Sequence, residues 1–314
     1  MMQQEYIPVY LITGFLESGK TTMIHSMLQD TNFTSGQRTL IIACEEGEVE
    51  YDTALLSRRN ATLVTLDGPE ELTTEGLKRI NEKYRPERVI VEYNSFWTIS
   101  LLGQLTMPRR WEFVQVITLI DATSFDNMMT NMRQVMTDPV KEADLIFFNR
   151  CTPGVSKSPW RRMMRAVNRS CTIIFENTDG TTEDGVEDED LPYDMKAAVI
   201  DIAEEHFGTF YLDSMEHPDR YERKTVRLVG QAVSERGMPR GFYYFCRKAM
   251  TCCANDIQQV GWVTQGLQKP DSRKYVQLTA QCSVVEQEGQ KMLMLKELRT
   301  QPAAAPASEY ATFN

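Results

Sequence analysis

Short apolar runs separated by helix-spaced segments fill the first half of the chain. "VYLIT" (9–13) has the length and β-branched content of a buried strand, and "TTMIHSMLQD" after it has the spacing of a helix. "RTLIIAC" (38–44), "RVIVEY" (88–93), "VQVITLIDA" (114–122), "ADLIFFNR" (143–150) and "CTIIFE" (171–176) repeat the strand pattern, with further helices expected at 68–84 and 158–169. Near-continuous apolar strands alternating with helices imply an α/β fold: a mostly parallel sheet covered on both faces. Met128, Met129, Met132 and Met136 lie at helical spacing and read as core or a partner groove. Arg161, Arg162, Arg165 and Arg169 read as the solvated face of a basic helix.

The pattern changes after residue 176. The acidic, Gly/Thr-rich segment 177–192 reads as a solvated linker. Beyond it, helical spacing at 194–218 gives way to short β-rich runs broken by Gly, Pro and Asp. These predict a smaller β-rich domain, of a size and pattern that suit a barrel. The tail "QPAAAPASEYATFN" (301–314) is expected to be disordered.

Composition narrows the functional classes. With Lys+Arg 34 against Asp+Glu 44 the formal net charge is −10, which excludes a bulk electrostatic attraction to nucleic acid or to an anionic membrane. A charged-then-apolar leader and an apolar run near eighteen residues are both lacking, so a cytoplasmic protein without membrane insertion is expected. Seven cysteines, an odd count without C-x-x-C, argue against a disulfide framework. Cys44, Cys151, Cys171 and Cys282 read as packing residues, and His25 as a surface or packed histidine.

The first strand runs into "TGFLESGKTT", which fits the phosphate-binding pattern G-x-x-x-x-G-K-[ST] in the strand–loop–helix context that pattern requires. Gly14 makes the turn out of the strand, and Gly19 lets the backbone approach closely. Glu17 and Ser18 complete the loop, Lys20 is the candidate for the β and γ phosphates, and Thr22 for the α phosphate. The Thr21 hydroxyl is the candidate Mg²⁺ ligand. Glu92 ends an apolar strand, the position from which a carboxylate holds Mg²⁺ directly or through water. Glu46, Glu48 and Asp52, just past the second strand, are alternative candidates for approaching the cation or orienting water. Asp121 is a second strand-terminal acid, read in the first place as a helix cap.

These segments, "YLITGFLESGKTT", "IIACEEGEVEYD", "RVIVEYNSFW", "VITLIDATSFD" and "ADLIFFNRCTP", occur in the order found in the CobW-like metallochaperone GTPases. That family is related to HypB and UreG within the SIMIBI class of P-loop proteins, and the resemblance spans residues 5 to 176. It implies a P-loop GTPase domain (1–176), Mg²⁺-dependent GTP hydrolysis, and handling of a transition metal such as zinc or cobalt. The division expected is therefore that domain, the linker 177–192, a β-rich accessory domain 193–300 and the tail 301–314. Three departures stand out. The family's C-x-C-C cluster after the second strand has no counterpart here, so the soft thiolates that grip zinc or cobalt are missing from that place. The N-E-x-G turn reads C-E-E-G at Cys44 to Gly47. The guanine-reading N-K-x-D reads N-R-C-T, with Asn149 and Arg150 kept as base-site candidates and Thr152 where a carboxylate would grip guanine; ATP is therefore an alternative to GTP.

The second half resembles the C-terminal domain of small bacterial membrane-associated proteins encoded beside predicted permeases, through Arg247, Met250, Cys252, Cys253 and Asp256. Cys246, Cys252, Cys253 and Asp256 are candidates for a thiolate-rich transition-metal site, the alternative being small buried hydrophobes and a turn aspartate. The expectation is a slow Mg²⁺-dependent GTP-binding and hydrolysing switch, assisted by a homodimer contact or by a protein partner, either a metal-linked protein or a permease. The alternative is a non-catalytic nucleotide- or metal-sensing adaptor.

Overall fold

The computed structural model describes every residue except 1–5, 34–35, 46, 185–190, 235–236, 251–256, 267–273, 288 and 314. Two compact units are present: residues 1–155 with 168–185, and residues 156–167 with 186–314.

The first unit opens with β1 (Ile7–Gly14), α1 (Lys20–Gln29), β2 (Thr39–Ala43), α2 (Thr53–Arg58), β3 (Ala61–Thr65), α3 (Thr74–Tyr84) and β4 (Arg88–Glu92). It continues with α4 (Ser100–Gly103), β5 (Trp111–Asp121), α5 (Phe125–Asn131), α6 (Arg133–Lys141) and β6 (Leu145–Cys151). The helix α7 (Ser158–Val167) follows in the chain but belongs to the second unit; β7 (Thr172–Asn177) and β8 (Thr182–Glu183) return to the first. The strand order is β3-β2-β4-β1-β5-β6-β7-β8, parallel throughout except for the β7–β8 pair. Because side chains alternate along each strand, the central strands feed two cores. Val9, Leu11, Leu40, Ile42, Val89 and Val91 pack with Leu77 of α3 on one face. Ile12, Ile41 and Ile90 pack with Ile24 and Leu28 of α1 and Leu55 and Leu56 of α2 on the other.

Several expectations in this unit needed correction. The edge strand β3 was not anticipated: "ATLVT" is short and half exposed, so it lacks the apolar run that marks a buried strand. The helix expected at 68–84 begins only at Thr74, where the Thr73 hydroxyl accepts the Gly76 N–H at 3.0 Å and caps it. The methionine stripe is broken at Met132 between α5 and α6, and Met129 and Met136 are buried in the core.

The second unit adds β9 (Ile200–Asp201), α8 (Phe207–Glu216), β10 (Thr225–Val233), β11 (Phe242–Met250), β12 (Ile257–Gln265), β13 (Tyr275–Gln287) and β14 (Gln290–Pro302). Five strands close on themselves in the order β10-β11-β12-β14-β13-β10, with β12 and β14 parallel and the other pairs antiparallel. This is the arrangement of an OB-type Greek-key barrel. Its interior holds Phe245, Trp262, Leu278 and Leu295, with Phe207 and Phe210 of α8 in the same cluster. At Gly261 a Cβ would stand 1.9 Å from the Phe245 carbonyl oxygen, which is why this strand crossing takes glycine.

The basic face of α7 is not simply solvated: Arg161 and Arg165 reach Glu216 of α8 at 2.6 and 3.0 Å. The tail expected to be disordered is packed. Pro302 ends β14, the Ala311 N–H donates to the Lys248 carbonyl at 2.8 Å, and Ala311 and Phe313 are buried. The buried Arg247 guanidinium ties this tail to the domain, donating to the Ser308 carbonyl at 2.8 Å and the Glu204 carbonyl at 2.9 Å.

Candidate functional site

Parallel pairing places Gly14, Glu92, Asp121 and Asn149 at the same edge of the first sheet, because Ile12 pairs with Glu92, Gly14 with Leu119 and Asp121 with Asn149. The chain crosses from one side of β1 to the other between β4 and β5. The loop after β1 therefore sits at the switch point where open α/β sheets bind ligands.

The loop closes on itself around Gly14 and Gly19. Glu17 adopts φ +62° and Gly19 φ +94°. A Cβ on Gly14 would lie 2.3 Å from the Leu119 carbonyl oxygen, so no other residue fits there. Helix α1 begins at Lys20 with no acid in its first turn and no side-chain cap among the described residues. Its first N–H groups and positive dipole end are left for an anion. The Ser18 hydroxyl beside them is buried with no hydrogen-bond partner among the described residues.

Lys20 is 3% exposed, and its ammonium donates to the Gly14 and Phe15 carbonyls at 2.6 and 2.9 Å and pairs with Glu45. Burial raises the Glu45 carboxyl above the ordinary carboxylate range, outweighing the lowering effect of Lys20. The Thr21 hydroxyl donates to Glu92 Oε1 at 2.7 Å, and the Tyr51 hydroxyl to Glu92 Oε2 at 2.5 Å. Burial and the neighbouring Glu92 push the Tyr51 hydroxyl far up, so it remains a donor across the working pH range. Cys44, 2% exposed, is pushed up to about 12 by burial and by the charges of Glu92 and Glu45. A cavity of about 250 Å³ opens over Lys20, Thr21, Thr22 and Glu92, bounded by Glu45, Glu48 and Arg150.

On the far side of the loop, Asn149 Nδ2 donates to the Ser18 carbonyl at 2.7 Å. Arg150 donates to the Glu17 carbonyl at 3.1 Å and pairs with Asp121 at 2.5 Å. Asp121 also accepts the Thr123 N–H and hydroxyl, in an Asx turn ahead of α5. The hydrogen bonds of Thr123 and Arg150 hold its carboxyl below the ordinary range despite partial burial, which pulls the other way.

The sequence candidates thus divide. Gly14, Glu17, Ser18, Gly19, Lys20, Thr21, Thr22, Glu92, Asn149 and Arg150 meet around one loop. Asp52 does not join them: its carboxylate accepts the Ala54 and Leu55 N–H groups at 2.8 and 3.1 Å and caps α2. Glu46 lies outside the described residues, as do Cys252, Cys253 and Asp256. Cys246 is buried in β11 opposite Gly261. Among the described residues no group of three or more His, Cys, Asp or Glu is placed to hold a metal ion. Glu45 and Tyr51 were missed as site residues. Glu45 carried one signal, its place as the glutamate of the C-E-E-G turn, without a role attached to it, and nothing local pointed from Tyr51 to Glu92.

A Gly-rich loop at the head of an uncapped helix, a buried lysine and a hydroxyl–carboxylate pair define a nucleotide-binding domain of the P-loop class. The chain belongs to the CobW/HypB/UreG family, whose nucleotide-binding domain matches residues 8–174. Residues 178–312 match the DUF1980 C-terminal domain. Over 141 residues the chain is 28% identical to a zinc chaperone CobW of Sinorhizobium sp, covering 38% of each protein. It is 24% identical over 205 residues to zinc-regulated GTPase metalloprotein activator 1 of Schizosaccharomyces pombe, covering 57% of this chain and 47% of that one. The chain thus spans less than half the length of these curated relatives. A Zn(II)-bound triple mutant of the YjiA GTPase is similar at 18% identity and a TM-score of 0.43, over 77% of this chain and 86% of that one.

Proposed function

We propose that the chain is a Mg²⁺-dependent GTP-binding switch that hydrolyses its nucleotide slowly and serves the handling of a transition metal, zinc or cobalt. The observation that carries this reading is the meeting of Lys20, Thr21 and Glu92, from two elements 71 residues apart, around one cavity. Lys20 and the N–H groups of α1 would bind the phosphates and stabilise charge on the transferring group. The oxygen donors fit a hard cation: the Thr21 hydroxyl and the Glu92 carboxylate would hold Mg²⁺, with water and phosphate completing its shell. When bound, that cation supplies charge neutralisation between the β and γ phosphates. Asn149 steadies the loop, and Arg150 offers a planar guanidinium to the base.

The zinc connection rests on the family and on the two relatives named for zinc. A protein client, a metal-linked protein or a permease, belongs to this proposal through the resemblance of the second half to permease-associated proteins. No helix among the described residues is long and apolar enough to cross a membrane.

A second reading, a non-catalytic nucleotide sensor, is favoured by one observation: Glu45 occupies the ammonium of Lys20. Single-turnover phosphate release from purified protein, with Mg²⁺ and with EDTA, separates the two. Mg²⁺-dependent release that vanishes in Lys20→Ala supports the switch. Tight nucleotide binding without release supports the sensor.

A further inference from the structure

The geometry points to Tyr51 as a positioning residue for the carboxylate that takes the divalent cation, a role that rests on the Mg²⁺ reading above. A glutamate carboxylate turns easily about its last torsion. Here each oxygen is fixed by one hydroxyl: Oε1 accepts from Thr21 at 2.7 Å and Oε2 from Tyr51 at 2.5 Å. Glu92 is 3% exposed, so water does little to compete for either oxygen. Tyr51 is itself held, its ring edge-on to His25 of α1 at 5.5 Å between centroids and 87° between planes. The carboxylate is therefore turned so that one oxygen stays beside the Thr21 hydroxyl, and both candidate cation ligands line the same cavity. Partners that orient a ligating carboxylate in this way set metal affinity from outside the coordination shell.

Tyr51 lies on the segment between β2 and α2 that also carries Glu45 to Lys20. One short stretch of chain thus touches both the phosphate-binding lysine and the cation-binding acid. A tyrosine needed only to satisfy a buried acid would support folding and leave cation affinity alone, which makes the two roles separable.

The test is a titration of the full-length protein with a fluorescent GTP analogue at a series of buffered free Mg²⁺ concentrations. It compares the wild type with Tyr51→Phe, Glu92→Gln and the double variant, with melting curves alongside. Phenylalanine keeps the ring contact with His25 and removes only the hydroxyl. The expected result is a rise in half-saturating Mg²⁺ of about tenfold or more in Tyr51→Phe. Nucleotide affinity in EDTA should be unchanged, and Tyr51→Phe should have no further effect once Glu92 is glutamine. An unchanged half-saturation in Tyr51→Phe, or an equal effect in the Glu92→Gln background, overturns the role even if the melting temperature falls. If wild-type binding does not depend on Mg²⁺ at all, the cation reading itself fails and the role of Tyr51 falls with it. A shift in Glu92→Gln without one in Tyr51→Phe removes only the latter.

Discussion

Replacing Lys20 with alanine separates two jobs that one ammonium performs. Toward a nucleotide it offers charge-assisted hydrogen bonds, each worth about 1.5–3 kcal/mol in a site shielded from water. Losing two phosphate contacts corresponds to about 3–6 kcal/mol, or a fall in affinity of roughly 10²- to 10⁴-fold. Toward the protein the ammonium neutralises Glu45, whose side chain is 9% exposed. Stranding one partner of a buried pair costs about 3–5 kcal/mol at the upper end. Glu45 can evade part of this by taking up a proton, since burial already raises its carboxyl from the ordinary 4.5. In the variant the folded state binds that proton more tightly than the unfolded chain does. Stability should therefore fall as pH rises from about 4.5 through the higher folded value, and Lys20→Ala should lose more at pH 8 than at pH 5. Urea denaturation at both pH values, with calorimetric titration of GTP and Mg²⁺, measures both jobs. The double variant Lys20→Ala/Glu45→Gln should regain stability at pH 8 and still fail to bind nucleotide. Single and double variants of equal stability would refute the ion-pair argument, and nucleotide affinity retained by Lys20→Ala would refute the site.

Three further outcomes are expected. Asp52→Ala should lower stability by about 1 kcal/mol through loss of the α2 cap and leave the half-saturating Mg²⁺ concentration unchanged; a changed Mg²⁺ dependence would return Asp52 to the cation. Cys44, with its thiol pushed up to about 12, should react far more slowly with iodoacetamide in the native protein than in urea, as read by peptide mass spectrometry. Thr152→Asp should raise the preference for GTP over ATP by about tenfold or more, because a carboxylate accepts paired bonds from guanine that a hydroxyl cannot; equal competition by ATP before and after the change would remove Thr152 from base recognition.

The chain determines by itself whatever depends on near neighbours. The loop from Gly14 to Thr21 was legible because strand, glycines, lysine and helix start are consecutive, and the conformation each needs is written locally. Glu92 was legible because parallel strands of an α/β sheet end at one edge, so a strand-terminal acid inherits its place from the fold class. Asn149 was legible only through the resemblance of N-R-C-T to the family's N-K-x-D, and the sheet brings it to that same edge. Buried cysteines followed from their apolar surroundings. Tertiary structure decided the rest. Asp52 sits in an acidic stretch where a cap and a cation ligand look alike, and only the start of α2 at the very next residue, with Asp52 outside the lining of the cavity, chooses between them. Half-exposed β3 has no periodic signal strong enough to stand apart from a loop. The closure of β10 onto β11 and the parallel pairing of β12 with β14 join segments whose own patterns say only "strand". The tail, rich in alanine and proline, looked unstructured until Arg247 and Ala249 of β11 supplied partners for it. Glu45 meets Lys20 and Tyr51 meets Glu92 across separations at which a linear pattern carries no information. Backbone preference and periodicity are properties of a few adjacent residues, whereas the partner of a buried polar group is set by which distant strand ends the sheet brings together.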